Sequence, residues 1–126
     1  MCLERERKNM NQRKIGADQE EKACAFLQSK GFKILERNYY TRQGEIDIIA
    51  KDNNTLVFVE VKYRKGISAG LPQEAVDIKK QRRISRAASH YLSFHRLPFF
   101  TPCRFDVIAI CKEEILWIPD AFCYRA

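Results

Sequence analysis

The chain has 126 residues, 23 Lys or Arg against 16 Asp or Glu, a formal net charge of +7 and a pI near 9.3. That length suits one domain around one core, no apolar run approaches a membrane span, and the charged N-terminus has no apolar segment behind it to make a secretory signal. The expected location is the cytoplasm, and the positive balance points to an anionic partner, nucleic acid foremost.

The five cysteines are odd in number and contain no Cys-x-x-Cys pair, so neither a disulfide framework nor a zinc site is expected. His90 and His95 read as surface residues. Residues 1–14 are dense in charge without apolar periodicity and read as a basic flexible arm, with residues 15–126 as a single domain. Met10 offers a second possible start. From Ala17 to Lys30 the pattern predicts an amphipathic helix, with Asp18 as candidate cap and Gly31 as stop signal. Ala23, Phe26 and Leu27 share its apolar stripe with Glu20, an acid on a face that should be buried. Phe32 to Asn38 reads as a strand with Phe32, Ile34 and Glu36 on one face. Tyr39 to Gln43 follows as a connection in which two tyrosines alternate with Arg37 and Arg42. The pair suits either packing beside the next strands or contact with nucleic acid.

Gly44 to Arg64 organises the rest. Gly-Glu-Ile-Asp-Ile-Ile-Ala and Leu-Val-Phe-Val-Glu-Val-Lys-Tyr-Arg are two strands around the polar turn Lys51 to Thr55. Alternation places Val57, Val59 and Val61 on one face of the second strand, with Phe58, Glu60 and Lys62 on the other. On the first strand Ile46, Ile48 and Ala50 oppose Glu45, Asp47 and Ile49. A hairpin that buries its aliphatic faces together brings Asp47, Glu60 and Lys62 to one side in apolar surroundings. Charge is costly to bury unless paired or bound to a metal. Two carboxylates that repel each other suit a divalent cation, and Mg²⁺ accepts one or two carboxylates completed by water and phosphate oxygens. A lysine beside them can deprotonate a water or stabilise phosphate charge.

Lys65 to Pro72, with Gly66 and Gly70, reads as a flexible loop. Gln73 to Phe94 reads as a second helix whose buried stripe is Ile84, Ala87, Ala88, Tyr91 and Leu92. Its other side carries Lys79, Arg82, Arg83 and Arg86, a basic face that is either simply solvated or suited to phosphate contact together with Lys80 and Arg64, and Lys80 could also reach the site region. Arg104 to Cys111 alternates as a strand in which Asp106 either supports the site or, as expected, pairs with Arg104 or a neighbouring cation. Lys112 to Glu114 is a turn, and Ile115 to Pro119 is the last strand.

Gly44-Glu45-Ile46-Asp47 followed by Val59-Glu60-Val61-Lys62 resembles the Asp…Glu-x-Lys signature of the restriction-endonuclease-like nuclease superfamily, written PD-(D/E)xK. From Ile15 to the end the chain resembles the YraN family, small bacterial proteins similar to archaeal Holliday-junction resolvases. The pieces that carry this are the helix around Glu20 and Ala23, Arg37-Asn38-Tyr39, Gly44 to Asp47, Val57 to Arg64, Lys80 to Ile84 and Arg104 to Val107. The family's Gly-Glu pair on the first helix stands here as Gln19-Glu20. The resemblance implies an α/β fold with a restriction-endonuclease-like core: a central mixed sheet of about five strands flanked by helices, in the order α-β-β-β-α-β-β. It further implies a Mg²⁺- or Mn²⁺-dependent endonuclease acting on DNA rather than RNA, on branched or repair intermediates. Asp47, Glu60 and Glu20 are the implied metal ligands, Lys62 the water-positioning lysine, and a homodimer the implied assembly. A non-catalytic nucleic-acid-binding module that retains the fold is the second reading. The intact acids and lysine favour the first.

Overall fold

The computed structural model describes residues 2–64 and 76–125, with side chains described for 16–63 and 76–125. The expected loop from Lys65 to Pro72 and the side chain of Arg64 lie outside the described residues. The elements are α1 (Cys2–Ser29), β1 (Lys33–Tyr40), β2 (Glu45–Asp52), β3 (Thr55–Arg64), α2 (Ile78–Phe94), β4 (Cys103–Cys111) and β5 (Glu114–Phe122). The expected order of elements holds.

α1 starts at Cys2, so the segment expected as a flexible arm continues the helix, and Asp18 lies inside it rather than capping it. No proline interrupts residues 2–16, and their Glu, Arg, Lys, Gln and Met are good helix formers. The C-terminal end is as the glycine signals. Gly31 takes φ 89°, Phe32 N–H reaches Leu27 C=O at 3.0 Å and Gly31 N–H reaches Gln28 C=O at 3.0 Å. These are the two bonds of a Schellman cap.

The sheet runs β1-β2-β3-β4-β5. Only β3 and β4 are parallel, joined through α2; the other neighbours are antiparallel. The β2–β3 turn closes at Asp52↔Thr55, with Asn53 at φ 53°, a left-handed conformation that Asn tolerates. β5 is an edge strand, which is why Pro119 fits within it. β5 extends to Phe122, past the expected end at Pro119. A register shift between Ile34 and Glu36 moves residues across β1. Leu35 packs on the α2 side as alternation requires, but the shift sets Glu36 opposite Ile49 on that same side instead of sharing a face with Phe32 and Ile34.

Two apolar layers hold the helices on opposite faces. Ala23, Cys24 and Leu27 of α1 meet Ile48, Ala50, Val57, Val59, Ile108 and Ile110. Ile84, Ala87, Ala88 and Tyr91 of α2 meet Ile49, Phe58, Phe105 and Val107. The α2 stripe is the one its spacing predicts. α2 begins at Ile78 rather than Gln73, because the Asp77 carboxylate caps it by accepting Lys80 N–H at 2.8 Å. Among the described residues no helix is long and apolar enough to cross a membrane. Cys24, Cys103, Cys111 and Cys123 are free, Cys24 buried and Cys103 and Cys123 exposed.

Asp106 has no exposed surface, and its carboxylate is saturated. It accepts Arg104 Nε at 3.0 Å, Trp117 Nε1 at 2.9 Å and the Asp120 N–H at 2.9 Å, while Arg104 also reaches Asp52 at 3.1 Å. This acid ties β4 to β5 and belongs to the scaffold, as its expected pairing with Arg104 implied. Asp106→Ala removes the acceptor of the Trp117 N–H and one of the two carboxylates that hold Arg104. The expected cost is about 3–5 kcal/mol, read as a lowered midpoint in urea denaturation; a loss below about 1 kcal/mol would contradict this role.

Candidate active site

Glu60 lies midway along β3, paired to Val107 of β4, and is 5% exposed beneath α2. Strand alternation puts it between Phe58 and Lys62 on this face. Such burial of a carboxylate demands partners, and two lysines supply them. Lys80 Nζ sits 2.5 Å from Glu60 Oε1, and Lys62 Nζ sits 3.7 Å from the same oxygen. Lys80 arrives there because Asp77 sets the start of α2, leaving Lys80 in the first turn above the sheet.

Asp47 reaches the same place by a break in the ladder. β2 and β3 pair down to Ile48↔Val59 and no further. There the Asp47 carboxylate replaces the ladder by accepting Val61 N–H at 2.8 Å. The break also turns Ile46 to the α2 side beside Ile49, where simple alternation would have left it with Ile48 and Ala50. Asp47 and Glu60 are thereby neighbours that act on each other, and the structure brings Asp47, Glu60, Lys62 and Lys80 together.

Burial, and next the Glu60 charge, push the Asp47 carboxyl up to about 8. Two adjacent buried carboxylates cannot both ionise without a compensating cation. Burial, then hydrogen bonding and charge from Lys80, lower the pKa of Lys62. Burial also works against the charge on Lys80, but its bonds to Glu60 and Lys62 outweigh this and its pKa ends raised. The two lysines are thus differentiated: Lys80 is held as the cation and Lys62 is eased toward the neutral amine.

Glu45 stands next to the pair, its pKa raised by burial, by Glu20 and by Glu60. Glu20 itself accepts Asn38 Nδ2 at 2.9 Å. Its charge acts on Glu45 and Tyr40, the residues beside the pair. Among the described residues no group of three or more His, Cys, Asp or Glu side chains is placed to hold a metal ion. A cation here would have two protein carboxylates and would take its remaining oxygens from water and phosphate, a donor set that suits Mg²⁺ or Mn²⁺.

A cleft of about 620 Å³ opens beside the pair, lined by Tyr40 to Glu45 from the β1–β2 connection and by Asp77, Lys79, Lys80, Arg83 and Ile84 of α2. Glu45 and Lys80 link it to the buried acids. Arg82 and Arg86 are exposed on α2 but do not line it. The two walls touch at Gly44, where a Cβ would stand 2.4 Å from the Arg83 carbonyl oxygen. Gly44 is what lets α2 approach the hairpin. His90 is exposed and bonded to Tyr39, and His95 is exposed against the Tyr91 ring. Sequence reasoning gave Lys80 to the basic face while allowing it to reach the site region, and the structure places it on Glu60. The signal that finds it is Asp77 as a cap three residues earlier.

Fold and site define a small three-layer α/β protein with a buried carboxylate pair, held by two lysines, at the edge of a basic cleft. The chain belongs to the uncharacterised protein family UPF0102, whose model matches residues 19–110, as the motif resemblance led us to expect. It is 52% identical over 113 residues to a UPF0102 protein of Lachnoclostridium phytofermentans, covering 90% of this chain and 96% of the relative. Another UPF0102 protein, from Alcanivorax borkumensis, is 43% identical over 127 residues, covering 97% of this chain and 98% of the relative.

Proposed function

We propose that this protein is a Mg²⁺- or Mn²⁺-dependent endonuclease that hydrolyses phosphodiester bonds in DNA, with branched or repair intermediates as its substrates. The observation that carries this reading is the Asp47–Glu60 carboxylate pair, buried side by side, with Lys62 and Lys80 on one Glu60 oxygen. A scaffold gains nothing from two acids that repel in a dry site, as the contrast with the saturated Asp106 makes plain. A divalent cation on this pair supplies Lewis-acid stabilisation of the phosphate and a more acidic bound water. The chain's own residues do the rest. Asp47 is oriented by the Val61 N–H, and Glu60 is oriented by Lys80. Lys62, beside a fixed cation, takes the proton of the attacking water as its oxygen bonds to phosphorus and the leaving oxygen departs. Lys79 and Arg83 in the cleft position the DNA backbone by its phosphates. Arg82 and Arg86 extend this basic surface in the proposal, Glu20 orders Asn38 behind the pair, and a homodimer would present two such sites to a symmetric branched substrate.

Purified protein is to be incubated with end-labelled linear, flapped and four-way-junction DNAs in Mg²⁺, Mn²⁺ or EDTA. Cleavage with either metal and none with EDTA is expected. Tight binding without cleavage under both metals would overturn the proposal in favour of a binding module.

A further inference from the structure

Tyr39 and Tyr40 are adjacent in sequence and put to opposite uses. The Tyr39 ring packs edge-on against Tyr91 at 5.4 Å, and its hydroxyl meets His90 Nδ1 at 2.7 Å. Tyr40, one residue on, has its ring turned away from both helix cores and is 71% exposed. It ends β1 directly opposite Glu45. Glu45, Glu20 and Asp47 lie near enough to act on its hydroxyl electrostatically, Glu45 most strongly. It is the one aromatic residue lining the cleft, whose other walls bring the cations of Arg42, Lys79, Lys80 and Arg83.

An exposed ring fixed at the mouth of a cationic cleft has a specific complement. Cations hold a phosphate backbone without regard to base, whereas an aromatic face stacks on a base that has left its helix, sequence-tolerantly. A paired base inside a duplex keeps both faces covered by its neighbours and offers the ring nothing. The cleft volume of about 620 Å³ falls within the range that admits a drug-sized ligand, about 300–1,000 Å³, enough for a splayed nucleotide.

We infer that Tyr40 is a stacking platform for an unpaired base beside the scissile phosphate, and that the substrates are DNAs with single-stranded character at the cut, such as flaps, bulges and branch points. This rests on the nuclease reading above and adds the substrate feature that the site selects. The exposed ring supplies the contact.

The test uses Ca²⁺ in place of Mg²⁺ to separate binding from cutting, and two DNAs of equal length, one blunt duplex and one with a flap carrying 2-aminopurine at its first unpaired position. The flap is expected to bind the wild-type chain more tightly than the duplex, with its 2-aminopurine fluorescence quenched. Tyr40→Ala is expected to lose about tenfold in flap affinity, together with the quenching, and nothing on the duplex. Tyr40→Phe, which keeps the ring and loses the hydroxyl, is expected to retain both. Equal affinity for the two DNAs without quenching, or a Tyr40→Ala chain that still quenches, would overturn this inference while leaving the nuclease reading standing. Failure of the wild-type chain to bind either DNA would overturn both. The exposure of Tyr40 makes folding of the variants a weak concern, and circular dichroism checks it.

Discussion

Lys62→Ala is expected to slow Mg²⁺-supported DNA cleavage by about 10²–10⁴-fold, the usual contribution of a positioned acid–base group, with DNA affinity changed only a few-fold. The two lysines on Glu60 should separate in their rescue behaviour. Lys62 lies 3.7 Å from Glu60 and has a lowered pKa, whereas Lys80 lies 2.5 Å away and is held charged. Lys62→Arg replaces the amine with a group that does not deprotonate, so it should stay as slow as Lys62→Ala. Lys80→Arg keeps a cation on Glu60 and should recover part of the activity lost in Lys80→Ala. Single-turnover rates on a flapped substrate read both. Equal rates for Lys62→Ala and the wild type would remove Lys62 from the chemistry, and full rescue by Lys62→Arg would reassign it to charge alone.

The second large effect is on stability and has the opposite sign. Asp47 carries a folded-state pKa of about 8 against an ordinary value of 3.8, raised first by burial and next by Glu60. A carboxyl whose pKa is raised on folding contributes stability that is complete below pH 4 and lost as pH climbs through 8. Between those limits the folded chain must hold a proton that the unfolded chain releases. Asp47→Asn removes that demand. In EDTA the variant should therefore equal the wild type near pH 4 and exceed it above pH 8, by about 3 kcal/mol once sharing of the proton with Glu60 is allowed for. Urea denaturation of both chains across this range measures the difference. Parallel curves for the two proteins would show that Asp47 bears no such strain. An inactive variant more stable than its parent is what a functional site predicts, since its groups are arranged against the stability of the fold.

The fold was legible because its signals are local. Gly31 ended α1, Asp52 to Asn54 closed the hairpin, and the stripe from Ile84 to Leu92 set the buried face of α2. The N-terminal helix was missed for the same reason. Residues 2–14 have no apolar face to betray a helix, and only propensity and continuity with α1 make one. Alternation failed at two points, where the backbone leaves strict period two. The β1 shift at Leu35 carried Glu36 across the sheet, and the break at Asp47 carried Ile46 across it. Neither is encoded by a glycine or proline at the spot.

The site divides along the same line. Asp47, Glu60 and Lys62 came from strand parity within one hairpin, which sequence spacing resolves. Lys80 approaches through a crossover from another element, and its bond to Glu60 depends on how α2 sits on the sheet. The close approach at Gly44, which sets that seat, follows from three-dimensional packing against Arg83. Glu20 shows the converse. Its place on the helix was read correctly, but the Asn38 side chain takes its carboxylate, and Asn38 adopts φ 53° at that point of β1.

The most direct test of the account is a calorimetric titration of Mn²⁺ into the wild-type chain and into Asp47→Ala and Glu60→Ala at pH 8. One bound ion in the wild type, proton release on binding, and no bound ion in either variant are predicted, because the cation displaces the proton that the buried pair otherwise keeps. A wild-type chain that takes up no ion, or variants that take it up equally well, would contradict the claim that Asp47 and Glu60 form a cation site.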